Sequence, residues 1–217
     1  DNNPQINLNW QDRDSKTPFY IACENGHFEV VKLLLNDERI NINKSTPIYI
    51  ACLYGHIEIV KLLLNDERTD INKGDTIGWS PFYLVCHNGH IEIVKLLLNN
   101  KNQRIDFNKP DYNGRTPFCV ACENGHFEIV KILLNDKRVD INKGNRNGQT
   151  PFWMACFYGS IEIIQYLLAS GREVNILAKG INGKSGIDII KEREKDRIKK
   201  ESEGEIIFAI RKNTNII

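Results

Sequence analysis

TPFYIACENGHFEVVKLLLN, Thr17 to Asn36, is the stretch whose reading decides the fold, because the chain repeats it. It returns as TPIYIACLYGHIEIVKLLLN from Thr46, SPFYLVCHNGHIEIVKLLLN from Ser80, TPFCVACENGHFEIVKILLN from Thr116 and TPFWMACFYGSIEIIQYLLA from Thr150. The starts lie 29, 34, 36 and 34 residues apart, and a worn sixth copy, SGIDIIKE, opens at Ser185, 35 residues further on. A fixed period in this range marks a stacked array in which no single copy can bury its own apolar face.

Each copy reads as two short helices. Thr, or Ser at position 80, is placed as N-cap, and the following Pro fits the first helical position, where the missing N–H costs nothing. Gly26, Gly55, Gly89, Gly125 and Gly159 are placed to end the first helix in the left-handed conformation. In the second helix Phe28, Val31, Leu34 and Leu35 recur at helical spacing, while Glu29 and Lys32 mark a wet face. Segments such as NDERININK and NDKRVDINKGNRNGQ carry Asn, Asp and Gly turn chemistry, which predicts an extended finger with a tight tip.

Thr-Pro-Phe-Tyr-Ile-Ala-Cys, then Gly-His, then Glu-Val-Val-Lys-Leu-Leu-Leu and a later Asp-Ile-Asn together resemble the ankyrin repeat, over residues 17 to about 183. The resemblance implies an all-α repeat solenoid, a helix-turn-helix stack with short β-hairpin fingers and a concave face made of fingers and first helices. It also implies a protein-binding role. On this reading residues 1–217 form a single ankyrin-repeat domain, with copies starting near 17, 46, 80, 116 and 150 and a degenerate cap from 185.

Three departures from regularity stand out. The second copy has NKST at Asn43 to Thr46 where the third has NKGDTIGWS, so about five finger residues are missing; either that finger is truly short or the sequence omits a stretch. Residues 1–16 align with the tail and finger of a preceding repeat whose helices are not in the sequence, which suggests an excerpt of a longer solenoid. After Gly183 the pattern decays into KEREKDRIKKESEGE and IIFAI, with Ile206, Ile207, Phe208 and Ile210 expected to fold back over the end of the core.

Composition and motifs narrow the function. The 29 basic and 28 acidic residues leave a net charge of +1, which gives no global field for nucleic acid or anionic membrane. No uninterrupted apolar run approaches the roughly 18 residues of a membrane span. A cytoplasmic or otherwise intracellular monomer is the expectation. Cys23, Cys52, Cys86, Cys122 and Cys156 fall once per copy; neighbouring helices lie about 10 Å apart, whereas a disulfide needs Cα atoms within about 7 Å, so these read as buried thiols. Cys119 and Cys122 make a Cys-x-x-Cys inside one helix with no second pair of ligands, which argues against zinc or redox chemistry. His27, His56, His90 and His126 repeat directly after the terminating Gly and read as structural.

The Glu29–Lys32, Glu58–Lys61, Glu92–Lys95 and Glu128–Lys131 pairs add about 0.2 to 0.5 kcal/mol each as exposed helical neighbours. The run from Lys191 to Glu205 holds six basic and six acidic residues and reads as a solvated helix. No nucleophile, phosphate-loop, metalloprotease or calcium motif occurs, so no catalytic, cofactor or metal residue is assigned and the chain is read as a non-enzyme.

If sameness builds the stack, function belongs where the copies disagree. The disagreements fall on the fingers and at the ends of the first helices. From these we take Arg13, Lys16, Leu53, Tyr54, Ile77, Trp79, His87, Tyr112, Arg115, Arg146, Phe157 and Tyr158 as candidate partner-binding residues. Trp79, Tyr54, Tyr112, Phe157 and Tyr158 are expected to be exposed. The leading expectation is a scaffold that binds another protein; the alternative is a recruiting arm of a larger enzyme or channel.

Overall fold

The computed structural model describes residues 6–100 and 105–196, and it divides the chain into two compact units that meet in sequence between Asp106 and Phe107. Unit 1 holds α1 (Pro18–Glu24), α2 (Phe28–Leu35), α3 (Pro47–Leu53), α4 (Ile57–Leu64), α5 (Pro81–Asn88) and α6 (Ile91–Asn99). Unit 2 holds α7 (Pro117–Glu123), α8 (Phe127–Leu134), α9 (Pro151–Tyr158), α10 (Ile161–Ala169) and α11 (Gly186–Asp196).

The local code works largely as the sequence dictates. The hydroxyls of Thr17, Ser80, Thr116 and Thr150 each accept the backbone N–H three residues on, at 3.1 to 3.2 Å, so four of the first helices start on a side-chain cap followed by Pro. The five glycines between paired helices all have positive φ.

Within unit 1, α1, α3 and α5 pack side by side in one layer and α2, α4 and α6 in a second; unit 2 repeats this with α7, α9 and α11 over α8 and α10. Phe19, Ile48 and Phe82 of unit 1, and Phe118 and Phe152 of unit 2, are buried at one and the same place in their copies. Cys23, Cys52, Cys86, Cys122 and Cys156 are buried free thiols beside them, and burial pushes the Cys23 thiol up to about 12.

Side chains between copies complete the stack. Asn9 donates to the Arg39 carbonyl at 2.7 Å and accepts from Asn41 N–H at 2.7 Å. Asn43 does the same with Arg68 and Asp70, Asn108 with Arg138 and Asp140, and Asn142 with Glu173 and Asn175. A second rung is histidine. Nε2 of His56 lies 3.0 Å from the Glu24 carbonyl and Nε2 of His90 lies 3.1 Å from the Leu53 carbonyl. A carbonyl can only accept, so Nε2 carries the proton in both rings. The rings come so close that a Cβ on Gly26 would fall 2.9 Å from His56.

Two expectations change. The fingers are turns; among the described residues no strand forms, and only an isolated bridge joins Lys179 to Ser185. Thr46 does not cap α3. With five residues missing, the chain must reverse in Ser45 and Thr46, whose φ values are 63° and 54°. Left-handed backbone costs a non-glycine residue roughly 1 to 2 kcal/mol. It also turns the Thr46 hydroxyl away from the helix, so that it donates to the Ser45 carbonyl at 2.8 Å.

The worn sixth copy forms one further helix, α11, packed on α9. Ser185 Oγ accepts from Asp188 N–H while Asp188 Oδ2 accepts from Ser185 N–H at 2.9 Å, a reciprocal cap at the start of α11. Ile187, Ile189 and Ile190 are buried, and α11 lies along α9. The copy has no Gly-His, yet Arg193 donates to the carbonyls of Cys156 and Phe157. Phe157 stands in its copy where Glu24 and Leu53 stand in theirs, so a guanidinium takes the place of the imidazole. Ile206, Ile207, Phe208 and Ile210 lie outside the described residues.

Candidate functional site

The fingers are built from one repeated device. Asp12, Asp75, Asp111 and Asn145 each accept two backbone N–H groups on Oδ1, from residues two and four further on, at 2.8 to 3.1 Å. Each also closes the tip by donating its own N–H to the carbonyl four residues on, at 3.0 or 3.1 Å. Each tip is thereby held as a fixed platform for the residues between.

A clasp then ties four of the fingers to the first helices that follow them, through residues eight apart. Lys16 Nζ pairs with Glu24 at 2.8 Å. Trp79 stacks on His87 with ring centroids 4.8 Å apart, and on Tyr83 at 5.2 Å. Arg115 pairs with Glu123 at 3.2 Å and with Asp111 at 2.8 Å, and Lys184 pairs with Glu192 at 2.6 Å. Chemistry differs between copies while the geometry stays the same. The sequence reading singled out Lys16, Trp79, His87 and Arg115 but left their acidic partners aside; opposite charge or paired rings at a spacing of eight was the signal that could have found them.

In unit 1, Trp79 and His87 are half-buried, a departure from the exposure expected for Trp79, because the indole lies on the helix. Leu53 is half-buried and its carbonyl receives His90. Tyr54, Ile77 and Arg13 are exposed. Tyr49 donates its hydroxyl to Asp75 Oδ2 at 2.8 Å, so α3, whose own finger is clipped, braces the next finger. Burial first, and then that bond, push the Tyr49 hydroxyl up.

In unit 2 the exposed aromatic residues gather around charged ones. Phe157 stacks on buried Trp153 at 5.0 Å, nearly parallel, and meets Tyr158 edge-on at 5.2 Å. Tyr158 donates to Glu123 at 3.2 Å, so the Arg115–Glu123 clasp and the aromatic pair form one connected surface. Tyr112 is exposed on the fourth finger beside Asn113, whose carbonyl accepts Arg146 N–H at 2.9 Å; the fourth and fifth fingers are thus joined, with the Arg146 residue exposed.

This surface offers rings and a rigid backing. Among the described residues no group of His, Cys, Asp or Glu is arranged to hold a metal ion, and no helix is long and apolar enough to cross a membrane.

Comparisons with known proteins agree with this construction. The family model described as ankyrin repeats in three copies matches residues 3–75, 67–145 and 103–178. The chain is similar to the crystal structure of an ankyrin repeat domain from Acinetobacter baumannii, with a TM-score of 0.75 and 23% identity over 88% of this chain and 97% of that one. Among curated proteins the comparison gives no match. Capped helix pairs stacked within each unit, Gly-His rungs, Asx-built fingers and a family match spanning residues 3–178 lead to one conclusion: the chain belongs to the ankyrin-repeat family.

Proposed function

We propose that this chain is a protein-interaction module that docks a partner protein on its finger and first-helix surfaces. Ankyrin repeats are generally such modules. The observation that carries the reading for this chain is in unit 2. Tyr112, Phe157 and Tyr158 remain exposed although stacking does not need them, and Phe157 and Tyr158 are held in place by Trp153 and Glu123. Rings fixed before binding lose little conformational freedom when a partner covers them, and exposed aromatics with a flanking Arg are the usual composition of an interface centre. Tyr54 and Ile77 with Arg13 and the Lys16 clasp would play the corresponding part in unit 1. Partner contact at Leu53, Trp79, His87, Arg115 and Arg146 belongs to the same proposal.

The test is a comparison of partner capture from source cells by the wild-type chain and by the double variant Phe157→Ser, Tyr158→Ser. Proteins held by the first and lost by the second, at equal thermal stability, support the assignment. Equal retention of every partner removes it.

A further inference from the structure

The clipped second finger leaves its mark on the burial of the first helices in unit 1. Tyr20, Tyr49, Tyr83, Cys119 and Trp153 hold one position, the third residue of their helices. Tyr83, Cys119 and Trp153 are buried, whereas Tyr20 and Tyr49 are only half-buried. Two fingers serve this position. The finger of the same copy covers the ring: Lys16 Nζ lies 5.4 Å over Tyr20, and Trp79 stacks on Tyr83 at 5.2 Å. The next finger receives the polar end: Tyr49 donates to Asp75 Oδ2 at 2.8 Å, and Trp153 Nε1 donates to the Lys184 carbonyl at 3.0 Å. Between Tyr20 and Tyr49 the finger that would do both is cut back to Lys44 and Ser45. Tyr20 therefore lacks the next finger and Tyr49 lacks its own. Among the described residues the Tyr20 hydroxyl meets no acceptor. Ser45 turns to the first finger instead, donating to the Ser15 carbonyl at 2.6 Å, and Leu53, eight residues on, is left without a clasp.

The third finger shows what fits such a notch. Asp75 Oδ1 accepts the N–H groups of Ile77 and Trp79, which fixes the turn, while Oδ2 stays free to accept from Tyr49. Four residues after Asp75, Trp79 lays its ring on Tyr83. Moved back by one copy, the same turn gives its carboxylate to Tyr20 and its ring to Tyr49 and Leu53. Asn is a poorer occupant than Asp, since with Oδ1 spent on the turn it offers only an amide NH2 to a hydroxyl that needs an acceptor. The clasp position takes a ring and not a cation: Lys16, Arg115 and Lys184 each face a glutamate, whereas Leu53 has no charge to offer and a buried cation there would stay unpaired. A turn of this kind is shaped by its own Asx bonds, so it keeps its form outside a repeat and loses little conformational freedom on insertion.

We infer that the notch between the first and third fingers, walled by Lys16 and Asp75 and floored by Tyr20, Tyr49 and Leu53, is a docking slot for an exposed turn of a partner protein that carries Asp four residues ahead of an aromatic residue. The inference rests on the reading of this chain as a protein-interaction module and states, for unit 1, the chemistry of what it receives.

The test sets the open notch against a filled one. In the filled chain Ser45 is replaced by a copy of residues 74–79, which gives the second finger its full length. A phage library of random loops, each closed by a disulfide, is selected on the wild-type chain and on the filled chain. Loops enriched by the first and not by the second, with Asp four positions ahead of Trp, Tyr or Phe, are expected. A synthetic copy of the most enriched loop should bind Tyr20→Phe about tenfold more weakly at equal thermal stability, because one hydrogen bond to a carboxylate is lost. Equal recovery on the two chains, loops without that Asp, or unchanged binding by Tyr20→Phe overturns the inference. Loops that the filled chain keeps and the double variant Phe157→Ser, Tyr158→Ser loses overturn it while leaving the interaction-module reading in place. A concentration-dependent dimer of the wild-type chain that the filled chain does not form also overturns it, since the occupant is then a finger of a second copy.

Discussion

The first and the last helix layers of this chain end in opposite ways. At α2 the apolar residues Val30 and Leu33 face outward, although their sequence differs little from that of α4. At the other end α9 is covered by α11, a helix that has lost most of the repeat's signature yet buries Ile187, Ile189 and Ile190 and returns the carbonyl bond through Arg193. The good copy is open and the poor copy is a lid. The difference lies in cover: among the described residues no helix lies over the Val30 and Leu33 face of α2, whereas α9 has α11 against it.

The largest effect separates the two ends directly. Ile190→Asp puts an unpaired charge against α9 and should cost about 3 kcal/mol or more, whereas Leu33→Asp on the open face should stay within about 0.5 kcal/mol. Urea unfolding of the two variants measures both, and equal losses would break the comparison. Next comes Arg193→Ala, which strips a charged donor from two carbonyls. A loss of about 1 to 3 kcal/mol is expected, with faster amide exchange in α11 and little change in α1 to α4. The smallest effect concerns the starts of helices. Thr116→Ala should cost about 1 kcal/mol through its lost cap, while Thr46→Ala, which caps nothing, should change stability by only a few tenths. A matched pair of thermal melts decides it, and an equal loss at Thr46 would show that its hydroxyl matters in its strained turn.

Most of the fold could be read from the chain because its determinants are local. Thr-Pro and Gly act within one helix turn, and the 34-residue rhythm of apolar positions copies the stacking partner into the sequence. What stayed hidden depends on geometry across copies. Thr46 matches the cap pattern letter for letter, and only the shortened loop before it changes its φ. Arg193 could not be recognised as a stand-in for histidine, since nothing in SGIDIIKEREK registers with Gly-His. The finger clasps were half visible: the variable residues were picked out, but Trp79 was expected to be exposed because its stacking on His87 eight residues away went unseen.

The clipped second finger carries one practical consequence. Ser45 and Thr46 shorten the loop without disturbing Asn43 just before it or the α3 packing just after it. Loop length and scaffold integrity are therefore decoupled at this point. A graft of five or more residues between Ser45 and Thr46, such as an epitope or a fluorophore site, would release a strained backbone and display its cargo between two braced tips, which makes this junction the natural port for engineering new recognition into the protein.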